Sequence, residues 1–289
     1  MSAAEPPGDG EHQLLVLIDP LARRSDGESV RIAKDVLSAG ADVKICLPDG
    51  AEEFARALAR RGTRRPVVVG DDHALLRAVT QLHRERELAG SALCLVPVGA
   101  APSLELAHAL GVPRGAVAAA RTALDGTARR LDLLVDDSDG VVLGDLRIPA
   151  PEPDDGPNHP GVTAVRDTWR TLISALVRPS PQAPASALPP RAHRLRVEAD
   201  GILLNDLDRP VDALSVTPGG DGGPAHVVIR TTCGETVTAR AGAVTVSGPD
   251  FRYRADIQSA GPVRTRTWTV RPGAWGLVLP TTPGDDRHR

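Results

Sequence analysis

From residue 13 to about 125, short apolar runs alternate with longer stretches whose apolar positions repeat at helical spacing, the pattern of parallel βα units. The runs QLLVLID (13–19), ADVKICL (41–47), PVVVG (66–70) and ALCLVPV (92–98) predict strands. Helices are predicted over Glu28–Ala39, where Val30, Ala33, Val36 and Leu37 share a face, and over Ala51–Arg61 and Ala74–Arg86. Two more follow, Ser103–Leu110, closed by Gly111 and Pro113, and Gly115–Leu124. Beyond Leu131 the period drops to two. Segments such as HRLRVEAD, AHVVIRT, ETVTAR, AVTVSG, FRYRAD and RTRTWTV, separated by Gly, Pro and Asp turns, predict antiparallel strands.

The expected fold is therefore an α/β N-terminal domain with an open, mainly parallel sheet, followed by an all-β C-terminal domain, an antiparallel sandwich. Its boundaries are read as 13–128 and 129–281, with tails at 1–12 and 282–289. A Pro-rich insert over 149–192 interrupts the second domain and holds DTWRTLISALVR, an amphipathic helix in prospect with Trp169, Leu172, Ile173, Leu176 and Val177 on its apolar face.

A chain of 289 residues is long enough for two separate cores, and with aromatics at 2% those cores must be built from Leu, Val and Ala. A net charge of -3, with both signs dispersed, supplies no footprint for nucleic acid or an anionic membrane surface. Lysine occurs only at Lys34 and Lys44, while Ala, Gly, Pro and Arg are abundant, a bias that fits a GC-rich bacterial genome. Cys46, Cys94 and Cys233 are far apart, and the first two sit in apolar strands as small hydrophobes, so neither a disulfide framework nor a metal motif follows. The histidines offer no metal cluster either; His73, His83 and His108 fall at spacings no zinc motif uses, and no metal ligand is assigned. No Gly-x-Ser-x-Gly elbow supports a hydrolase. With no signal-peptide pattern and no transmembrane segment, the expectation is a cytoplasmic protein.

Two turns carry the candidate chemistry. Gly70-Asp71-Asp72-His73-Ala74 and Gly99-Ala100-Ala101-Pro102-Ser103 each lie where an apolar strand runs into a helix. Glycine there lets the backbone approach a phosphate, and the helix N-terminus offers free N–H groups. Asp71 and Asp72 would instead set two carboxylates beside an incoming phosphate, a repulsion of about 1 kcal/mol in water rising to roughly 4 kcal/mol near a protein surface, which a bridging Mg²⁺ would partly offset. An Asp-rich turn that caps the following helix is the structural alternative.

The strings VVVGDDHALLRAV and LVPVGAAPSLELAHALGVP resemble the two signature stretches of the diacylglycerol kinase catalytic-domain family, GGDGT and PLGTGNDFARALGIP. Gly70 and Asp72 match the first, whereas Asp71, His73 and Ala74 stand where the family has Gly, Gly and Thr. In the second, Pro97, Gly99, Ala107, Ala109, Leu110, Gly111 and Pro113 match, while Ala100 to Ser103 replace Thr, Gly, Asn and Asp. Asp19-Pro20 resembles the Asn-Pro ending of the family's first strand, Asp132 its entry into the second domain, and RPGAWGLVLP its closing strand. The resemblance implies an ATP-cone or NAD-kinase-like N-terminal fold, ATP and Mg as cofactors, and a lipid alcohol or nucleotide in the inter-domain cleft, with a homodimer left open. By the same resemblance Asp19, Gly70, Asp71, Asp72, His73, Ala74, Gly99 and Ala100 would surround the nucleotide, and Asp72 would take part in catalysis.

The family's Asp-Gly-Glu motif supplies a base for the lipid hydroxyl, and its counterpart is Asp256-Ile257-Gln258, which keeps only the aspartate. Asp256 is accordingly the candidate base, with a solvated turn aspartate as the commoner reading, while Asp200-Gly201 reads as a plain hairpin turn. Losing several phosphate contacts together removes most of what phosphoryl transfer depends on. The leading expectation is a diacylglycerol-kinase-like protein with an eroded ATP site and a lipid- or partner-binding role. The alternatives are a working ATP- and Mg-dependent lipid kinase and a purely structural interaction module.

Overall fold

The computed structural model describes residues 13–90, 92–150, 192–220 and 222–281. The expected helix within 149–192, most of the Pro-rich insert and both tails lie outside the described residues.

The N-terminal half contains a four-stranded parallel sheet of order β2-β1-β3-β4, from β1 (Gln13–Ile18), β2 (Asp42–Cys46), β3 (Arg65–Gly70) and β4 (Cys94–Pro97). All four strands stand where the apolar runs predict. β1, β3 and β4 are buried almost throughout while β2 is half exposed: β1 and β3 are interior, β4 at one end is flanked by Leu277 of the C-terminal half, and β2 is the open edge. Helices α2 (Gly27–Gly40), α3 (Ala51–Ala59), α4 (Asp72–Arg84), α5 (Glu105–Ala109) and α6 (Ala116–Asp125) occupy the predicted segments, and a 3₁₀ turn over Ala101–Leu104 leads into α5. One short helix escaped the pattern: α1 (Pro20–Ser25) has a single turn and a half and buries only Ala22. Its start is set by Asp19 at the N-cap and proline at the first position.

The C-terminal half is a ten-stranded antiparallel sheet. Its strands are β5 (Thr127–Asp136), β6 (Val141–Val142), β7 (Leu146–Ile148), β8 (Arg196–Ala199), β9 (Ile202–Asn205), β10 (Val211–Thr217), β11 (Ala225–Thr231), β12 (Thr236–Ala241), β13 (Ala243–Ala255) and β14 (Gln258–Leu279). Side chains from β7, β8, β10, β11, β13 and β14 share one core, in which Trp268 meets Tyr253 edge-on at 5.1 Å, so the sheet folds across itself in sandwich fashion. The segments AVTVSG and FRYRAD, read as separate strands, are one: β13 continues through Gly248-Pro249-Asp250 with irregular register between Ser247 and Phe251. Asp200-Gly201 makes the expected tight hairpin turn, both residues at positive φ (49° and 80°).

The two halves share a core. β14 runs antiparallel to β5 and then bridges β4 in parallel through Leu93 and Leu277. Trp275, Leu277 and Leu279 consequently pack with Leu15, Leu17, Val68, Leu75 and Leu82. Returning the closing strand to the parallel sheet ties the β domain to the helices that carry the predicted turns.

Candidate functional site

In the order β2-β1-β3-β4 the chain leaves β1 toward opposite sides of the sheet, so the carboxyl ends of β1 and β3 form a topological switch point, where open α/β sheets bind ligands. Asp19 follows β1, Gly70 to Asp72 close β3 and open α4, and Gly99 and Ala100 follow β4. The backbone stitches these turns together: Asp19 N–H donates to Val69 O at 2.9 Å and Val98 N–H to Gly70 O at 3.0 Å.

Each acidic residue at this point holds the N-terminus of a helix. Asp19, buried at 2% exposure, accepts from Leu21 N–H at 2.8 Å and from the Arg77 guanidinium at 2.7 Å. Asp71 caps α4, accepting from Ala74 N–H at 3.1 Å, so the capping alternative describes it correctly. Asp72 is fully buried and reaches across to α5, accepting from Leu106 N–H at 2.8 Å and Ala107 N–H at 2.9 Å, one bond on each carboxylate oxygen. Burial pushes its carboxyl above the usual range against the pull of those two amides.

The remaining predicted residues divide. Gly70 is confined by packing: a Cβ there would lie 2.8 Å from Ala74 Cβ and 3.0 Å from Asp19 Cβ. Gly99 has more give, its nearest neighbours being the Ser103 hydroxyl at 2.8 Å and Asp71 Cβ at 3.3 Å. Ala74 is buried, Ala100 is exposed, and Ala100 O accepts from both the backbone and the hydroxyl of Ser103. His73 stands out into solvent, its Nδ1 3.4 Å from Asp71 Oδ2. Asp19, Gly70, Asp71, Asp72, Ala74 and Gly99 thus come together, whereas Asp256 belongs to a second location.

Asp256 corrects one expectation: it is not a solvated turn aspartate. It sits at φ +53° in the β13–β14 hairpin, 3% exposed, and accepts from the N–H groups of Leu143 (2.8 Å), Gly144 (2.7 Å) and Asp145 (3.1 Å). Its own N–H donates to Asp145 O at 2.8 Å. The carboxylate therefore fills a nest of three amides formed where β6 turns into β7. Burial pushes its carboxyl up to about 6, the amides opposing and the neighbouring Asp145 charge adding to the rise.

Asp256 also borders a cavity of about 1010 Å³ between α5 and the β sheet. Leu106, Leu110, Leu131, Leu143, Ile148 and Ile257 supply its apolar part. Asp132, whose carboxylate accepts from Gly222 and Gly273 N–H, Asp145 and Arg147, which form an ion pair, and Arg230 and Arg254 supply polar lining. Sequence reasoning named Asp132 only as a landmark and missed Arg77 and the arginines. Arg77 meets Asp19 across 58 positions, and the cavity arginines converge through strand pairing, so no local spacing announces either.

No protein-family model matches this sequence, and no curated protein does. Solved structures do. One, of a protein from Bacillus anthracis str. Sterne assigned as a diacylglycerol kinase, has a TM-score of 0.70 at 12% identity, covering 94% of this chain and 98% of that chain. A second, of a protein with the same assignment and organism, has a TM-score of 0.69 at 12% identity over 93% of this chain and 97% of that one. The likeness runs through both halves, and the chain is built on the two-domain fold of these diacylglycerol kinases.

Proposed function

We propose that this protein is a diacylglycerol-kinase-like member of the lipid kinase family that binds a lipid-like amphiphile in the cavity between its halves and transfers phosphate weakly or not at all. The carrying observation is that its own carboxylates occupy the helix N-termini at the switch point. A triphosphate needs free N–H groups, close backbone approach and compensating positive charge. Asp19, Asp71 and Asp72 take N–H groups of α1, α4 and α5, Ala74 and Asp19 crowd Gly70, and Arg77 is paired with Asp19. These residues do not fit ATP with Mg²⁺. The cavity, at about 1010 Å³, stands at the upper end of the roughly 300–1,000 Å³ usual for small-molecule sites and combines an apolar floor with polar walls, which suits an amphiphile.

One observation favours the second reading, an active ATP- and Mg-dependent lipid kinase: the Asp256 carboxyl, at about 6, titrates near neutrality at the cavity edge, as a general base should. Against it, Asp256 already accepts three amide hydrogen bonds. Thermal shift with Mg-ATP, paired with transfer of labelled phosphate to diacylglycerol in mixed micelles, separates the two. The expected result is no clear ATP stabilisation and weak or no transfer. Clear stabilisation, with transfer abolished by Asp256→Asn in a folded variant, overturns it in favour of the kinase.

A further inference from the structure

The parallel sheet ends on a strand that no described residue pairs with from outside. β2 pairs with β1 alone, so its outer row of N–H and C=O groups has no partner strand among the described residues. Such a row is a template for another strand. β2 also carries apolar surface, with Ile45 at 39% exposure and Leu47, just beyond its end, at 52%. Register with β1 sets the faces. Val43 and Ile45 lie on the face of Leu14 and Val16, which α2 covers, whereas Asp42 and Lys44 lie on the face of Leu15.

The charges of this strand are self-complementary. A second copy related by a two-fold axis normal to the sheet pairs antiparallel, and with Val43 on the axis Asp42 of each copy lies opposite Lys44 of the other. Ile45 then lies opposite Ala41, which is extended (φ -153°, ψ 165°) and so continues the ladder. Both charges are available for this. Lys44 is exposed and makes no ion pair or hydrogen bond among the described residues, and Asp42 gives Oδ2 to Arg64 of its own chain at 3.0 Å while Oδ1 is unengaged among them. The more apolar edge strand, β9, lacks this property: it exposes Ile202 and Leu203, but self-pairing about Leu203 sets Asp200 against Asp206.

We infer that β2 is the contact between two copies of this chain, joining their four-stranded sheets into one continuous sheet of order β4-β3-β1-β2-β2-β1-β3-β4. The occupant is a second copy rather than an unrelated strand, because one short segment supplies both signs of charge at the spacing that two-fold pairing needs. The contact lies outside the cavity and is independent of what the cavity binds. One strand with few apolar side chains makes an interface at the low end of the specific range, so the dimer is weak, with a dissociation constant on the order of 10 μM.

Sedimentation equilibrium of the full chain from about 1 to about 200 μM tests this, and wild type is expected to pass from monomer to dimer across that range. Ile45→Lys sets a charge on the apolar contact and is expected to weaken association at least about tenfold. Lys44→Asp brings like charges together across the axis and is expected to weaken it similarly. The paired exchange of Asp42→Lys with Lys44→Asp restores opposite signs and is expected to return the dissociation constant to within about threefold of wild type. All three positions are exposed, and the melting temperature of each variant reports its folding independently of association. A chain that stays monomeric at every concentration overturns the inference. So does a dimer indifferent to both Ile45→Lys and Lys44→Asp, since its contact lies elsewhere. A dimer that Ile45→Lys weakens but Lys44→Asp leaves intact, or that the paired exchange fails to restore, overturns the Asp42–Lys44 register and with it the two-fold contact.

Discussion

Asp72 offers the sharpest test, because its two roles predict opposite results. As a contact for phosphate or metal, its loss would abolish nucleotide binding and leave the fold intact. As a clamp, it joins the β3–α4 turn to the start of α5 through Leu106 and Ala107 N–H, and its loss strikes the fold. In Asp72→Ala two buried amides lose their acceptor at about 1–3 kcal/mol each, so the gross cost is about 2–6 kcal/mol. Relief from holding a desolvated carboxylate offsets part of this, as the upward push on its carboxyl indicates, and the net expectation is about 2–4 kcal/mol. In a chain of this size that lowers the melting temperature by roughly 5–15 °C. Asp72→Asn keeps one acceptor but turns an NH₂ toward the other donor, and belongs between wild type and Asp72→Ala. Urea denaturation and thermal melts, with and without Mg-ATP, measure both effects. A melting temperature within about 2 °C of wild type, together with loss of an ATP-induced shift, would falsify the clamp.

Three further expectations follow from neighbouring geometry. Gly70→Ala drives a methyl against Ala74 and Asp19 and is expected to cost about 1–3 kcal/mol, whereas Gly99→Ala meets a Ser103 hydroxyl able to rotate away and should cost less; equal denaturation midpoints would refute this packing account. Arg77→Met leaves the buried Asp19 carboxylate without its cation, and because Arg77 is one-third exposed the loss is set at about 1–3 kcal/mol, below that of a fully buried pair; an unchanged urea midpoint would remove the ion pair from the list of stabilising contacts. The Asp256 carboxyl rises from 3.8 to about 6 on folding, so the folded chain keeps a proton that the unfolded chain releases, and stability falls as pH rises between those values. That fall amounts to about 3 kcal/mol from this group. Unfolding free energies at pH 4 and pH 7 should show it in wild type and lose it in Asp256→Asn; identical pH slopes in the two proteins would contradict it.

Much of this protein follows from local pattern. The strands β1 to β4 and the helices between them rest on apolar periodicity, and Asp71 announces itself as a helix cap through its place before an apolar helical repeat. The two glycine turns likewise lead to a fold shared with solved structures at 12% identity, because a strand-to-helix turn and a helix stop constrain residues within a few positions of one another. What Asp72 and Asp256 do is a different matter. Asp72 meets its amides 34 and 35 residues away and Asp256 meets its own 111 to 113 residues away, so nothing adjacent in the chain reveals that both carboxylates are already engaged. The convergence of Arg147, Arg230 and Arg254 on one wall depends equally on strand register. The sequence by itself determined the elements and the strand-to-helix turns between them, since short-range backbone preferences and apolar spacing dictate both. Only the tertiary structure decided where the charges go, because a buried carboxylate is stabilised by whichever amides packing brings to it, however distant in the chain.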